Sequence, residues 1–164
     1  MSAQPLSEQA AIAKEVVEHV VDYLDFPVPV AIEVSEDDEQ VSVRMTSEEP
    51  LGVLIGKGGQ TLNALEMIVK EIVFHRTGTR GKHIMLDAEG YRERQIERLR
   101  ELARENAQRV LETGESVALE PMTARDRRTV HMALADIEGV SSFSVGEEPH
   151  RHLVICLPGQ EAEE

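Results

Sequence analysis

Three of the four residues from Gly56 to Gly59 are glycine, in the stretch "LGVLIGKGGQTLNALEMIVKEIV" at residues 51–73. No other feature restricts the fold of this chain as much. Glycine in the interior of a helix or strand costs about 1 kcal/mol relative to alanine. Elements on either side must therefore end at this point, and the chain must turn. Helical periodicity resumes at Gln60 and runs to about His75. Lys57 is the one side chain inside the turn.

Such a turn suits a phosphate. Glycine lets the backbone approach an anion closely. The first amides of the Gln60 helix direct N–H groups and the positive end of the helix dipole at it. Lys57 adds a charge with no fixed geometry. Two nucleotide-binding motifs are excluded by spacing. A P-loop needs G-x-x-x-x-G-K followed by Ser or Thr, whereas only three residues separate Gly52 from Gly56, and Gly58 follows Lys57. A dinucleotide fingerprint needs G-x-G-x-x-G after a strand in a βαβ unit, and none is present. What remains is G-x-x-G between two helices. On those four letters alone a plain tight turn is the simpler reading; the longer string is more specific. Val53, Ile55 and Leu62 beside the turn supply an apolar floor for unstacked bases.

Charge places the turn in an unusual setting. The 164 residues carry a formal charge of −14. Residues 51–83, with two acids and five bases, form the only net-positive window. A polyanion is attracted there and repelled elsewhere, which favours a localised contact over a broad basic face. Arg76, Arg80 and Lys82, in the glycine-bearing loop "RTGTRGK", belong to the same window. Aromatic residues are only 3%, with no Trp, which disfavours a mechanism based on stacking bases on rings. Cys156 is the single cysteine and has no disulfide partner within the chain. No apolar run is long enough for a membrane span. The N-terminal residues lack the basic start and apolar block of a signal peptide. A cytoplasmic location without membrane insertion is expected.

Apolar residues from Leu6 to Leu24 recur on one helical stripe. Pro27 and Pro29 forbid its continuation. Val28 to Val34 alternate, "SEDDEQ" reads as an acidic turn and "VSVRM" alternates again, which predicts a hairpin. "HIMLDAE" is a further strand. From Tyr91 to about Leu111, Ile96, Leu99, Ala103, Ala107 and Val110 recur every three or four residues, and Arg and Glu alternate on the other faces. That predicts a long amphipathic helix packed on its own domain rather than a coiled coil. "TGESVALEP" reads as a turn and short strand. A helix capped by Thr123 and Asp126 follows, and then two strands joined by "EEPH". Residues 159–164 are expected to form a disordered acidic tail.

The string "GVLIGKGGQTLNALEMIV" resembles the KH family of single-stranded nucleic-acid-binding domains. The predicted order helix, two strands, helix, loop, helix, strand is similar to the type II arrangement, over about residues 8–89. In the second half, "ARDRRTVHMAL" places Arg127 and His131 one helical turn apart, where they can meet a phosphate or a base edge. Alone that pair reads as solvated side chains. Within "GYRERQIERLRELARENAQRVLETGESVALEPMTARDRRTVHMALAD" it resembles the R-3-H domain, named for an arginine, three residues and a histidine. The two motifs in this order are similar to the Jag family, also called KhpB, of bacterial proteins. The resemblance spans about 140 residues; it does not extend to the additional N-terminal domain and linker that some members carry.

The resemblance implies an α+β fold: a KH domain at 8–89, and an R-3-H domain at 90–158 that includes the linking helix. It implies a non-enzymatic RNA-binding protein without cofactor or metal. Gly56, Lys57, Gly58 and Gly59 would clamp the strand, Arg76, Arg80 and Lys82 would add charge, and Arg127 with His131 would add a second contact. It further implies post-transcriptional control of cell envelope growth or division and a small single-KH partner protein. The preference for RNA over single-stranded DNA stays open. The rival reading is a protein-interaction adaptor in which nucleic acid is incidental; overall acidity and scarce aromatics favour it. Other constellations read as structure. His150, His152 and Cys156 fit a polar edge strand with a core cysteine better than a metal site. His75 and His83 are ordinary surface histidines, and the acids of the long helix are solvated ion-pair partners.

Overall fold

A computed structural model describes residues 5–160, which divide between Arg92 and Glu93 into two compact units. The first contains α1 (Glu8–Leu24), the strands β1 (Val30–Glu36) and β2 (Gln40–Ser47), the single-turn helix α2 (Gly52–Ile55), a 3-10 turn at Lys57–Gly59, α3 (Gln60–Thr77) and β3 (His83–Ala88). The Ser7 hydroxyl caps α1 by accepting from the Ala10 N–H, and the helix ends at Asp25, whose φ is 48°. Pro27 then keeps the chain out of helix, as its ring requires. The expected hairpin is present: β1 and β2 pair antiparallel with Val34 opposite Val43. Asp37 closes its turn, Oδ1 accepting from the N–H groups of Glu39 and Gln40, both at 2.8 Å.

β3 lies parallel to β2, Leu86 beside Val43, giving the sheet order β1-β2-β3. Parallel neighbours need a crossover, and α2, the glycine turn and α3 supply it. The turn is thus held at both ends by the sheet it connects. Val41, Val43 and Met45 of β2 and Ile84, Leu86 and Ala88 of β3 are all buried, in the alternation a half-covered sheet demands. They form one core with Val17 of α1 and Leu62 and Val69 of α3. Burying each large aliphatic side chain stabilises the unit by roughly 1.5–3 kcal/mol.

The second unit contains α4 (Tyr91–Thr113, whose first two residues belong to the first unit), β4 (Val117–Ala118), α5 (Ala124–Ala135), β5 (Ser141–Val145) and β6 (His152–Cys156). Its sheet is antiparallel throughout, in the order β4-β6-β5. Leu99, Ala103, Ala107 and Val110 of α4 are buried with Val130, Leu134, Leu153 and Ile155. Ile96, expected on the same stripe, is instead 40% exposed. Thr123 caps α5, its hydroxyl accepting from the Asp126 N–H at 3.2 Å. Gln160 folds back on Leu157; residues 161–164 of the expected tail lie outside the described residues. No helix among the described residues is long and apolar enough to cross a membrane. The whole is an α+β fold.

Candidate nucleic-acid interface

The glycine turn uses each glycine differently. Gly56, at φ 71° and ψ 176°, breaks α2 from the turn. A Cβ there would lie 2.2 Å from Thr61 Oγ1, so only glycine fits. Gly59 has φ 78° and is buried, and a Cβ there would lie 2.7 Å from Cε1 of Tyr91. Gly58 also has positive φ, 58°, but a Cβ there would meet nothing within 4 Å. Two glycines are therefore demanded by the protein's own packing, while the third leaves open space on the outer face. Lys57 is exposed beside it; its carbonyl accepts from the Gln60 N–H, and its ammonium has neither ion pair nor hydrogen bond among the described residues. No side chain caps α3 at Gly59; the Gly59 and Gln60 N–H groups donate to the Gly56 and Lys57 carbonyls, which leaves the next amides of the first turn without a side-chain acceptor at the cap. Val53, on α2, is 64% exposed next to the turn.

A polar network holds α3 behind the turn. Glu66, only 4% exposed, accepts from Lys70 Nζ at 2.8 Å, from the Leu86 N–H at 3.1 Å and from Arg92 Nη2 at 3.0 Å. Arg92 Nε donates to the Leu86 carbonyl at 3.2 Å, and its Nη1 donates to Asn63 Oδ1 in the first turn of α3. Both backbone groups of Leu86 on the outer edge of β3 are thereby satisfied. A buried charge of this kind persists only when paired and hydrogen-bonded.

The other bases of the positive window lie elsewhere. α3 has 18 residues, so its ends are roughly 27 Å apart at 1.5 Å per residue. Arg76, Arg80 and Lys82 are at the end remote from the glycine turn. Arg76 Nη1 donates to both carboxylate oxygens of Glu15, each at 3.0 Å. Arg80 stacks 5.0 Å over the Phe74 ring, with its Nη2 3.9 Å from Glu71. Lys82 Nζ donates to Glu36 Oε2 at 2.8 Å, and Glu36 also accepts from the N–H and hydroxyl of Ser7, both at 2.7 Å. These hydrogen bonds, that from Lys82 foremost, lower the Glu36 pKa to about 2. What is one positive window along the chain is thus spread out in the fold: Lys57 stands at the turn, Lys70 pairs with Glu66 along α3, and the other three bases lie at its far end.

In the second unit Arg127 and His131 share α5 but not an environment. Arg127 is 7% exposed. Its Nη1 donates to the Met122 carbonyl at 2.7 Å and its Nη2 to Glu148 Oε1 at 2.8 Å. It ties the approach to α5 to the β5–β6 turn. His131 is exposed, with Nδ1 2.7 Å from the Ser142 hydroxyl. Arg128, the next residue after Arg127, is exposed; sequence reasoning passed over it because the motif's spacing selects its neighbour. Thr61, Tyr91 and Arg92 were missed too: Thr61 packs on Gly56 from five positions away with no motif to mark it, and no local pattern marks Tyr91 and Arg92, which reach Gly59 and Asn63 from 32 and 29 positions away. Cys156 is buried and the His152 ring nitrogen sits 3.1 Å from the His150 carbonyl. No cluster of metal-binding side chains occurs among the described residues.

Comparison with known proteins matches this architecture. Residues 11–84 match the family model of the KhpA/KhpB KH domain, and residues 97–157 match that of the R-3-H domain. A protein of Clostridium symbiosum named RNA-binding protein KhpB is 39% identical over 145 residues, which cover 88% of this chain and 64% of the relative. The Bacillus subtilis (strain 168) protein of the same name is 38% identical over 126 residues, 76% of this chain and 60% of the relative. That of Streptococcus pneumoniae serotype 2 is 29% identical over 145 residues, covering 44% of its own length. The chain thus spans less than two thirds of each of these relatives.

Proposed function

We propose, from the premise that this chain belongs to the KhpB family, with a KH domain followed by an R-3-H domain, that it is a non-enzymatic protein binding single-stranded RNA, with the Gly56–Gly59 turn as its principal contact. The observation that carries this reading is the open face at Gly58. A phosphodiester can lie against bare backbone there, beside the Lys57 ammonium, which is unpaired among the described residues, and the start of α3, which no side chain caps. The name borne by the relatives, RNA-binding protein KhpB, supports RNA as the strand. The exposed Val53 gives unstacked bases an apolar surface, whereas Leu62, expected beside it, is fully buried in the core.

The second contact in this reading falls to His131, with Arg128 beside it on the exposed side of α5, and Arg127 supports them from within. Arg76, Arg80 and Lys82 contribute long-range attraction, since each is already engaged by an acid. A cytoplasmic role in post-transcriptional control of envelope growth or division, with a small single-KH partner, extends the proposal on family resemblance.

The test is equilibrium binding of dye-labelled random-sequence single-stranded RNA across a salt series. The logarithm of affinity is expected to fall linearly with the logarithm of salt concentration, with a slope of about −0.7 per phosphate contacted and a total corresponding to a few phosphates. Duplex RNA of equal length is expected to bind more weakly. Absence of binding, or binding indifferent to salt, would favour the adaptor reading.

A further inference from the structure

We infer that Tyr91 and Arg92 are positioning residues of the phosphate turn, so that the working KH unit runs through the first residues of α4. The inference rests on the Gly56–Gly59 turn being the RNA contact. The match to the KH family ends at residue 84, but the turn's support does not. The Tyr91 ring lies directly against Gly59: a Cβ on Gly59 would stand 2.7 Å from Cε1, 3.0 Å from the hydroxyl oxygen and 3.1 Å from Cζ. Gly59 is itself buried by this contact and held at φ 78°. The ring is thus a floor against the last residue of the turn, next to Gly58, where a Cβ would meet nothing within 4 Å. Arg92 acts on the helix that follows. It joins Asn63, in the first turn of α3, to the carbonyl of Leu86 on β3 and to Glu66. Together the two residues set the height of the turn and the direction of the α3 amides that would face the phosphate.

Phosphate recognition by backbone amides depends on their alignment, and a shift of about 1 Å in a supporting group is enough to weaken such a site. Tyr91 touches the turn through its ring, so Tyr91→Phe keeps the floor and Tyr91→Ala removes it. Binding of random-sequence single-stranded RNA by the full chain is expected to be native in Tyr91→Phe. In Tyr91→Ala it is expected to weaken about tenfold, with the salt slope shallower by about 0.7, the value of one lost single-strand phosphate contact. A merely structural role would lower the folded fraction without changing the slope of the molecules that bind. Gly59→Ala presses on the same contact from the other side, and the double variant Gly59→Ala/Tyr91→Ala is expected to lose less than the sum of the two single losses. If Tyr91→Ala does not fold, Gly59→Ala against Tyr91→Phe decides the matter: native affinity and slope in a folded Gly59→Ala variant contradict the inference. A folded Tyr91→Ala variant with native affinity and slope contradicts it equally. Lys57→Asp/Gly58→Asp serves as the control. If that variant loses binding while Tyr91→Ala keeps it, the positioning role alone fails. If neither loses it, the turn is not the RNA contact.

Discussion

Gly56 and Gly58, two residues apart, face opposite demands. At Gly56 a methyl group would meet Thr61, 2.2 Å from its hydroxyl oxygen and 2.9 Å from its backbone nitrogen. The neighbour is partly backbone and cannot step aside. At Gly58 a methyl group meets nothing, and only the positive φ of 58° opposes it. Gly56→Ala is therefore expected to destabilise the first unit by about 3 kcal/mol, and Gly58→Ala by about 1 kcal/mol. Denaturant unfolding followed by circular dichroism gives both values. RNA affinity is expected to separate from stability at Gly58, because its methyl would stand on the face proposed for the phosphate. Equal stability losses at the two glycines would contradict this division of labour.

At the scale of elements, two anchors explain why the predicted cationic site is dispersed. Glu36, at the end of β1, gathers Ser7 before α1 and Lys82 before β3. Its pKa is depressed from 4.5 to about 2, so the native state binds fewer protons than the unfolded chain between those values. Its contribution is complete above the unfolded pKa and is lost as pH falls from 4.5 toward 2. Glu36→Gln is expected to lower stability at neutral pH and to flatten the acid limb in that window, as measured by denaturant unfolding at a series of pH values. Arg127 is the anchor of the second unit. Arg127→Ala removes a charged hydrogen bond to the Met122 carbonyl and releases the β5–β6 turn at Glu148. A loss of about 2 kcal/mol is expected, discounted for the 59% exposure of the Glu148 side chain. An unchanged melting temperature would return Arg127 to the surface. The helices and strands themselves were legible in the sequence, because their apolar periods are local and Pro27, Thr123 and the glycines punctuate them. The glycine turn was legible for the same reason. Arg127's burial was not, since its carboxylate partner lies 21 residues on in an irregular turn. Nor was the engagement of Arg76, whose partner Glu15 is 61 residues away. Counting charge along a window treats as neighbours residues that an 18-residue helix holds apart.

At the scale of the whole molecule, the net charge of −14 repels a polyanion, and the sequence's one positive stretch is largely neutralised by acids in the fold. On the proposed reading, RNA binding by such a chain rests on a local site where backbone geometry does most of the work. That separates the account from one built on a basic surface, because neutralising distant bases should then matter little. Arg76→Ala/Arg80→Ala is expected to change affinity for single-stranded RNA less than threefold, read by the same binding assay. The most direct measurement is the affinity of Lys57→Asp/Gly58→Asp for single-stranded RNA at moderate salt, with circular dichroism to establish that the variant is folded. Both side chains would project into open space, so the fold is expected to persist while two carboxylates occupy the place of the phosphate. At least a tenfold loss of affinity with a native spectrum is expected; native affinity in the folded variant would contradict the turn as the RNA contact.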